Sequence, residues 1–260
     1  MFGEELCQGD FLTHAGAGLS INAAGVKVRG PFLMKHLTLF LVLLLAPLAP
    51  AQDEIPADSE HSHKRIPAAV MSYLGADWLE REDREAIEQP DKVIAAMELK
   101  PGDIVADIGS GSGYFTRRLA KAVLPGGKAY GVDIQPEMNA ILAENCKKEG
   151  ITNVEIILGD EADPKLPSGS IDWMLLVDVY HEFQQPEPML AKMREALKSS
   201  GRIALVEYRL LGDTAAHIKT EHRMSVEQVL GEWEPAGFEL EARHEFLPTQ
   251  HLFIFKKSEE

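Results

Sequence analysis

The sequence contains few cysteines: Cys7 and Cys146 are the only two among 260 residues. Two thiols leave little scope for a disulfide framework or for a metal site built on cysteine. Basic residues are also scarce, because 26 Lys and Arg face 41 Asp and Glu, which gives a formal net charge of -15. A chain this acidic repels a phosphate backbone unless it carries a local basic patch, and no such patch is visible. A nucleic-acid partner is therefore disfavoured.

The sequence also lacks an apolar run long enough for a comfortable membrane span of about 20 residues. The apolar run Leu37 to Leu48 follows Met34-Lys35-His36 and precedes Ala49-Pro50-Ala51, which is the layout of a secretory signal peptide. We therefore predict a signal peptide at residues 34–51 and an exported protein, periplasmic or secreted, with no stable membrane span after cleavage. A membrane-anchored or a cytoplasmic protein is the alternative. Residues 1–33 are interpreted as a mis-assigned start or as disordered.

Histidine occurs nine times, but without the spacing that metal ligands have. His61-Ser62-His63 could bind a metal weakly, but a short polar linker is the preferred interpretation, and we predict no metal site. Residues 52–66 are charged and contain proline, so they are predicted to form a linker. Helical periodicity then runs through residues 67–100, where Pro90 is expected to begin a helix. With 45% hydrophobic residues, the rest of the chain can bury one good core.

The segment from Val105 to Phe115 joins an apolar strand pattern, an acid and three alternating glycines to a helical pattern. Ligands bind at such strand-to-helix junctions in open parallel sheets, and glycine lets the backbone touch a ligand. The spacing is Gly-x-Gly-x-Gly, with Tyr114 where the last glycine of a dinucleotide fingerprint would fall. Asp107 precedes the first glycine, where its charge would oppose a pyrophosphate. A cationic cofactor such as S-adenosylmethionine therefore fits better than NAD.

Polar residues also follow the later strand patterns. These patterns are Lys128 to Asp133, Val154 to Glu161, Ile171 to Val177 before Asp178, and Arg202 to Val206 before Glu207. Each acid alone could be a helix cap. The carboxyl ends of parallel strands meet at one edge of a sheet, however, so we expect these residues to converge on one cleft. Asp133 is predicted to accept the two hydroxyls of a ribose.

The motif Asp107-x-Gly109-x-Gly111-x-Gly113 resembles the first motif of the class I S-adenosylmethionine-dependent methyltransferases. The resemblance extends over about Gln89 to Lys257 and is nearest to the type 11 and quinone-biosynthesis methyltransferases. It implies an α/β fold over residues 101–257, namely a doubly wound Rossmann-like sheet that is mostly parallel with a C-terminal antiparallel hairpin strand (the seven-stranded methyltransferase fold). Residues 67–100 would then be an N-terminal helical lid.

The resemblance implies S-adenosylmethionine as the cofactor and a small molecule as the methyl acceptor. It places Asp160 near the adenine amino group. The predicted cofactor-binding set is Asp107, Gly109, Ser110, Gly111, Gly113, Tyr114, Asp133, Ile134, Asp160, Glu161 and Asp178. Two departures favour a small acceptor, because the chain lacks the several cysteines of arsenite methyltransferases and the Asn-Pro-Pro-Tyr motif of amino-methylating nucleic-acid enzymes.

Methyl transfer from a sulfonium is an in-line displacement, so alignment of the nucleophile and the methyl group dominates. An acceptor hydroxyl or protonated amine also needs a base. The candidate catalytic residues are His181, Glu207, Tyr208 and His222. A structural role for His181, whose ring would bond the backbone at a helix entry, is equally open. For Trp78, Arg81 and Arg84, packing outside the pocket is favoured over lining it.

Two other functions remain open at this point. An NAD-dependent oxidoreductase of Rossmann type would use the same strand-to-helix junction. A non-catalytic protein could bind the cofactor without turnover. The sequence does not decide the oligomeric state.

Overall fold

The computed structural model describes residues 65–211 and 218–259. The predicted signal peptide, residues 1–33 and His61-Ser62-His63 lie outside the described residues. Among the described helices, none combines the length and the apolar character that crossing a bilayer requires.

Helices and strands alternate along most of the described chain. The strands are β1 (Ile104–Ile108), β2 (Lys128–Asp133), β3 (Val154–Leu158), β4 (Ile171–Val177), β5 (Leu197–Arg209), β6 (Arg223–Met224), β7 (Phe238–His244) and β8 (Gln250–Lys257). The α-helices are α1 (Ala76–Leu79), α2 (Arg84–Glu88), α3 (Pro90–Ala96), α4 (Tyr114–Ala122), α5 (Pro136–Glu149), α6 (Pro186–Ala196) and α7 (Val226–Trp233). Single 3₁₀ turns occur at Tyr73–Gly75, Tyr180–Glu182 and Thr220–His222.

The strands form one sheet in the order β3-β2-β1-β4-β5-β8-β7. The first five strands of this order are parallel, and β8 lies antiparallel between β5 and β7. This arrangement confirms the predicted doubly wound sheet with a C-terminal antiparallel hairpin. The short strand β6 pairs parallel with β5 through Tyr208 and Arg209.

Alternation along the strands divides the core between the two faces of the sheet. Val105 on β1 belongs to one buried cluster, whereas its neighbour Ala106 belongs to the other. Successive strand residues point to opposite faces, so the sheet is covered on both sides. Trp233 at the end of α7 closes one face, where its ring stacks on Phe255 with the centroids 4.5 Å apart.

Two element boundaries differ from those expected. Strand β5 continues beyond Val206 to Arg209, because Glu207 and Tyr208 pair with His251 and Gln250 of β8. Strand β3 ends at Leu158, so the acids expected at the end of the third strand lie beyond it.

The strand order reverses between β1 and β4, and this reversal positions the site. Strand β1 has β2 on one side and β4 on the other, and the crossovers run in opposite directions from it. A crevice opens outside the carboxyl ends of the strands at such a switch point. Gly109 begins the bend after β1 with φ of 73°, and a Cβ there would overlap the side chain of Val179. Glycine thus lets the two loops after β1 and β4 approach each other.

Candidate active site

A cavity of about 550 Å³ lies at the switch point. Its walls come from the ends of the five parallel strands, from the segment before β1 and from the loop before β6. Its lining includes Gly109, Gly111, Asp133, Asp160, Asp178, His181, Glu182, Tyr208 and His222. Most of the polar residues predicted at the strand ends thus share one cavity, but Asp107 and Glu207 lie outside its wall.

Asp133 is fixed beside the glycine bend. Its Oδ2 accepts a hydrogen bond from the Gly111 N–H at 2.9 Å, and its Oδ1 accepts one from the Gln135 N–H at 2.9 Å. Burial raises the pKa of Asp133, and these backbone hydrogen bonds oppose the shift. Each carboxylate oxygen has a second lone pair, so the side chain can still accept hydrogen bonds from a ligand.

Asp107 lies behind the bend rather than in the cavity wall. The residue is 3% exposed, and its Oδ2 accepts a hydrogen bond from Thr116 Oγ1 at 2.6 Å. Burial raises the pKa of Asp107 to about 6, against the effect of the Thr116 hydrogen bond and of Arg84. A direct contact between Asp107 and the cofactor therefore stays a prediction, and the described geometry gives this carboxyl a role in holding α4 to β1.

The remaining predicted cofactor residues divide into two groups. Ile134, Asp160 and Glu161 line the cavity, where both acids are exposed. Asp160 Oδ1 accepts a hydrogen bond from the Ala162 N–H at 3.0 Å, which lowers the pKa of Asp160. The other group lies outside the cavity wall and consists of Ser110, Gly113 and Tyr114.

Asp178 presents a buried carboxylate oxygen that has no protein partner. Its Oδ2 accepts a hydrogen bond from Gln250 Nε2 at 2.7 Å, whereas Oδ1 is buried without a hydrogen bond. Burial raises the pKa of Asp178, and the charges of Glu88 and Glu207 add to the rise. The backbone of Asp178 is left-handed, with φ of 51°. A cationic ligand group in the cavity would satisfy this oxygen.

His181 is held by Glu207 from two directions. Its Nδ1 lies 2.6 Å from Glu207 Oε2, and its backbone N–H donates to Glu207 Oε1 at 3.2 Å. Glu207 is fully buried and lies outside the cavity wall, so it acts on the cavity through the histidine ring. Burial alone lowers the pKa of His181. The charge and the hydrogen bond of Glu207 raise it by more than burial lowers it, so the pKa lies above its ordinary value.

His222 completes a row of three side chains. Its Nδ1 lies 3.1 Å from His181 Nε2, and the two rings meet edge to face with centroids 5.0 Å apart. Burial and the charge of His181 both lower the pKa of His222. The nitrogen of His181 that does not face Glu207 therefore faces His222 at the cavity wall.

Glu182 and Tyr208 add two further groups to this end of the cavity. Burial raises the pKa of Glu182 to about 7, against the opposing effect of His181. Glu182 Oε1 accepts a hydrogen bond from the Met71 N–H at 3.3 Å. Burial raises the pKa of Tyr208 far above its ordinary value, so its hydroxyl stays protonated and can donate.

The segment before β1 covers one side of the cavity. The Ala68 N–H donates to the His181 carbonyl at 3.0 Å, and Gln135 Nε2 donates to the Met71 carbonyl at 2.9 Å. Trp78 and Arg84 line the cavity, against the packing interpretation favoured from the sequence, whereas the Arg81 guanidinium stacks on the Trp78 ring at 3.7 Å. The lining residues Ala69, Val70 and Met71 were not predicted, because no local pattern distinguishes them.

The sheet order, with an antiparallel hairpin after five parallel strands and a glycine bend at the switch point, is that of the class I S-adenosylmethionine-dependent methyltransferase fold. A family model described as a methyltransferase domain matches residues 99–247. The chain belongs to this methyltransferase domain family.

Two curated relatives and one solved structure illustrate the likeness. An uncharacterized 37.1 kDa protein in transposon TN4556 of Streptomyces fradiae is 30% identical over 62% of this chain and 47% of its own length. The nocamycin O-methyltransferase of Saccharothrix syringae is 31% identical over 44% of this chain and 41% of its own length. A SAM dependent methyltransferase from Aquifex aeolicus has a TM-score of 0.68 at 25% identity, covering 72% of this chain and 98% of that one. The chain thus spans less than half the length of these two curated relatives.

Proposed function

We propose that this protein binds S-adenosylmethionine and transfers its methyl group to a small-molecule acceptor. One observation carries the proposal: Asp133, fixed by the Gly111 N–H, lies in one cavity wall with the histidine pair of His181 and His222. A carboxylate at the end of the second strand is suited to a ribose diol, and the histidines are suited to an acceptor.

The charges of the cavity wall suit a cationic cofactor. The unpartnered Oδ1 of Asp178 can accept a hydrogen bond from the ammonium of the cofactor, and Asp160 is assigned to the adenine end. An ammonium bonded to a carboxylate also removes the cost of a buried oxygen that lacks a partner. A dinucleotide would instead bring a pyrophosphate toward these acids, which is unfavourable at short range.

The cofactor supplies a methyl group on a positively charged sulfur. The protein then has to align the acceptor with that methyl group and exclude competing water. The cluster of His181, Glu207 and His222 lies at the acceptor side of this arrangement, and Glu207 fixes the ring of His181. We assign the activation of the acceptor to this cluster, with Tyr208 as a hydrogen-bond donor to the acceptor.

Calorimetric titration with S-adenosylhomocysteine tests the binding half of the proposal. We expect the wild-type protein to bind it, and Asp133→Ala to weaken binding by about 1.5–3 kcal/mol, because a charged hydrogen-bond acceptor is lost. Asp91→Ala, at an exposed acid in the first turn of α3, is the matched control and should bind as the wild type does. Equal binding by Asp133→Ala and the wild type would contradict the assignment, and tighter binding of NAD would favour an oxidoreductase.

A labelling experiment tests the transfer half. The protein is incubated with methyl-labelled S-adenosylmethionine and a metabolite extract, and the labelled product is identified. A labelled small molecule supports methyl transfer and reveals the acceptor. Tight cofactor binding without a labelled product would indicate a protein that binds the cofactor without turnover.

A further inference from the structure

Three potential metal-binding side chains converge at the acceptor end of the cavity. A nitrogen of His181, a nitrogen of His222 and a carboxylate oxygen of Glu182 all lie within 4.8 Å of one another. All three residues line the cavity. His181 and Glu182 lie on one 3₁₀ turn after β4, and His222 reaches them from the turn before β6.

We propose that His181, Glu182 and His222 form a binding site for a divalent transition metal of the zinc class. Two imidazoles and one carboxylate are the donor set of catalytic zinc sites and of non-haem iron sites. Magnesium and calcium prefer all-oxygen ligands, so this donor set selects against them.

The separation of the two imidazole nitrogens suits a shared metal ion. His181 Nε2 and His222 Nδ1 are 3.1 Å apart. Two nitrogens bound to one tetrahedral zinc ion at about 2.0–2.1 Å lie about 3.3 Å from each other. Binding of one metal ion by both nitrogens therefore needs little change in their separation, although the rings have to turn until both lone pairs point at the ion. His222, whose turn is partly exposed, is the residue of the pair with room to turn.

Glu207 supplies the support that a metal-binding histidine requires. Histidines that bind metals usually donate their other ring N–H to a carboxylate, which fixes the tautomer and the ring orientation. Glu207 Oε2 lies 2.6 Å from His181 Nδ1, and its Oε1 also accepts the His181 backbone N–H. This arrangement directs the lone pair of Nε2 toward His222 and the cavity.

The site deepens the proposed function, on which its chemical role rests. Three protein ligands leave a coordination position open for an acceptor. An acceptor thiol or hydroxyl that binds there loses its proton to solvent and keeps its electron pair for the methyl carbon. A bond from that sulfur or oxygen to the methyl carbon then forms while the carbon–sulfur bond of the sulfonium breaks, and the electron pair of that bond stays on the departing thioether. We therefore infer that the acceptor is a thiol or a hydroxyl compound.

Cobalt binding to the full chain, purified without a histidine tag and treated with a chelator, tests the site. We expect one Co²⁺ per chain with visible d–d absorption, and displacement of Co²⁺ by Zn²⁺ but not by Mg²⁺. Loss of a residue that hydrogen-bonds to a metal ligand typically weakens metal binding about 10- to 100-fold, so we expect Glu207→Gln to weaken Co²⁺ binding by about that factor. His222→Ala and Glu182→Gln each remove a ligand and should weaken Co²⁺ binding by more.

Control variants separate this site from the other histidines. His244→Ala removes a histidine that lies outside the cavity wall, and a double variant with His61→Ala and His63→Ala removes the histidine pair nearest to residue 65. Both should bind one Co²⁺ as tightly as the wild type. Thermal unfolding of each variant checks that the fold is retained. If His222→Ala is unfolded, Glu182→Gln still tests the site, because glutamine has nearly the same size as glutamate.

Three results would overturn the metal site. These are the absence of stoichiometric Co²⁺ binding, unchanged binding in both His222→Ala and Glu182→Gln, and loss of binding in the double variant. Binding of S-adenosylhomocysteine by the metal-free protein is measured separately. Failure of the metal-free protein to bind S-adenosylhomocysteine would contradict the proposed function, whereas the metal site is judged by the cobalt measurements.

Discussion

Asp107 is a buried acid whose ionisation opposes folding. Its pKa is raised from 3.8 to about 6 in the folded protein, so the folded state binds the proton more tightly than the unfolded chain does. The stability that this residue contributes is therefore present below about pH 4 and lost as the pH rises to about 6.

We expect Asp107→Asn to remove this pH dependence. Relative to the wild type, the free energy of unfolding of the variant should rise by up to about 3 kcal/mol between pH 4 and pH 7. Urea unfolding at a series of pH values measures this difference. Any stability that the variant loses equally at every pH, such as that of a lost hydrogen bond, does not affect the change between pH 4 and pH 7. Asp91→Asn at an exposed acid is the control. A constant offset between Asp107→Asn and the wild type at all pH values would contradict the prediction.

Gly113 is required both by backbone conformation and by space. Its φ is 85°, and a Cβ there would overlap the side chain of Leu142. We expect Gly113→Ala to destabilise the protein by about 1–2 kcal/mol for the left-handed backbone and by about 1–3 kcal/mol more for the overlap.

Gly169→Ala is the matched control for Gly113→Ala. The φ of Gly169 is also positive, at 59°, but a Cβ there would meet no atom within 4 Å. The control should therefore show only the backbone cost. Urea unfolding at pH 7 compares the two variants, and equal losses would mean that Leu142 moves aside without cost.

Helix α7 holds the C-terminal hairpin against the rest of the sheet. Trp233 is fully buried, stacks on Phe255 of β8 and meets Tyr180 edge to face at 5.3 Å. We expect Trp233→Ala to lower the free energy of unfolding by about 3–5 kcal/mol, as loss of a large core aromatic does. Trp78→Ala is the control, because Trp78 is 47% exposed and should cost far less. Similar losses in chemical unfolding would show that α7 does not support the core in this way.

Local sequence patterns predicted most of the elements and their order. Strand β4 occupies the predicted range from Ile171 to Val177, because an apolar run covered on both faces is a strong local signal. The glycine bend and the acid Asp133 were likewise predicted from neighbouring residues. The extension of β5 was missed because pairing with β8, and not the composition of Glu207 to Arg209, decides it.

The acceptor end of the site was only partly predictable. His181, Glu207 and His222 were each named as candidates, but their contacts were not, because they join residues 26 and 41 positions apart. Glu182 and His181 are likewise far from His222 along the chain, so their convergence was not predicted. We predicted no metal site because the histidines lack the sequence spacing of metal ligands. Long-range contacts of this kind depend on how the loops pack at the sheet edge, and the spacing of the residues along the chain does not predict them.

The residue at which the native protein begins decides how many thiols it carries. The predicted cleavage after Ala51 would leave Cys146 as the one thiol, which could not form an internal disulfide, and a chain that starts at Met34 would lack Cys7 as well. Cys146 is 6% exposed, and burial raises its pKa, so its thiol should react slowly in the folded protein.

We expect protein isolated from its native cell to begin at Gln52, as read by sequencing of its amino terminus. In denaturant, a thiol reagent should then titrate one cysteine per chain, whereas the full chain made without export should give two, because it retains Cys7. Before unfolding, reaction at Cys146 should be slow in both proteins, because the same fold buries it. A native chain that starts before Ala51, or that contains two thiols, would contradict cleavage and favour the membrane-anchored or cytoplasmic alternative. An exported enzyme would moreover meet its cofactor only where S-adenosylmethionine is delivered to it, so the starting residue also decides in which compartment the methyl acceptor should be sought.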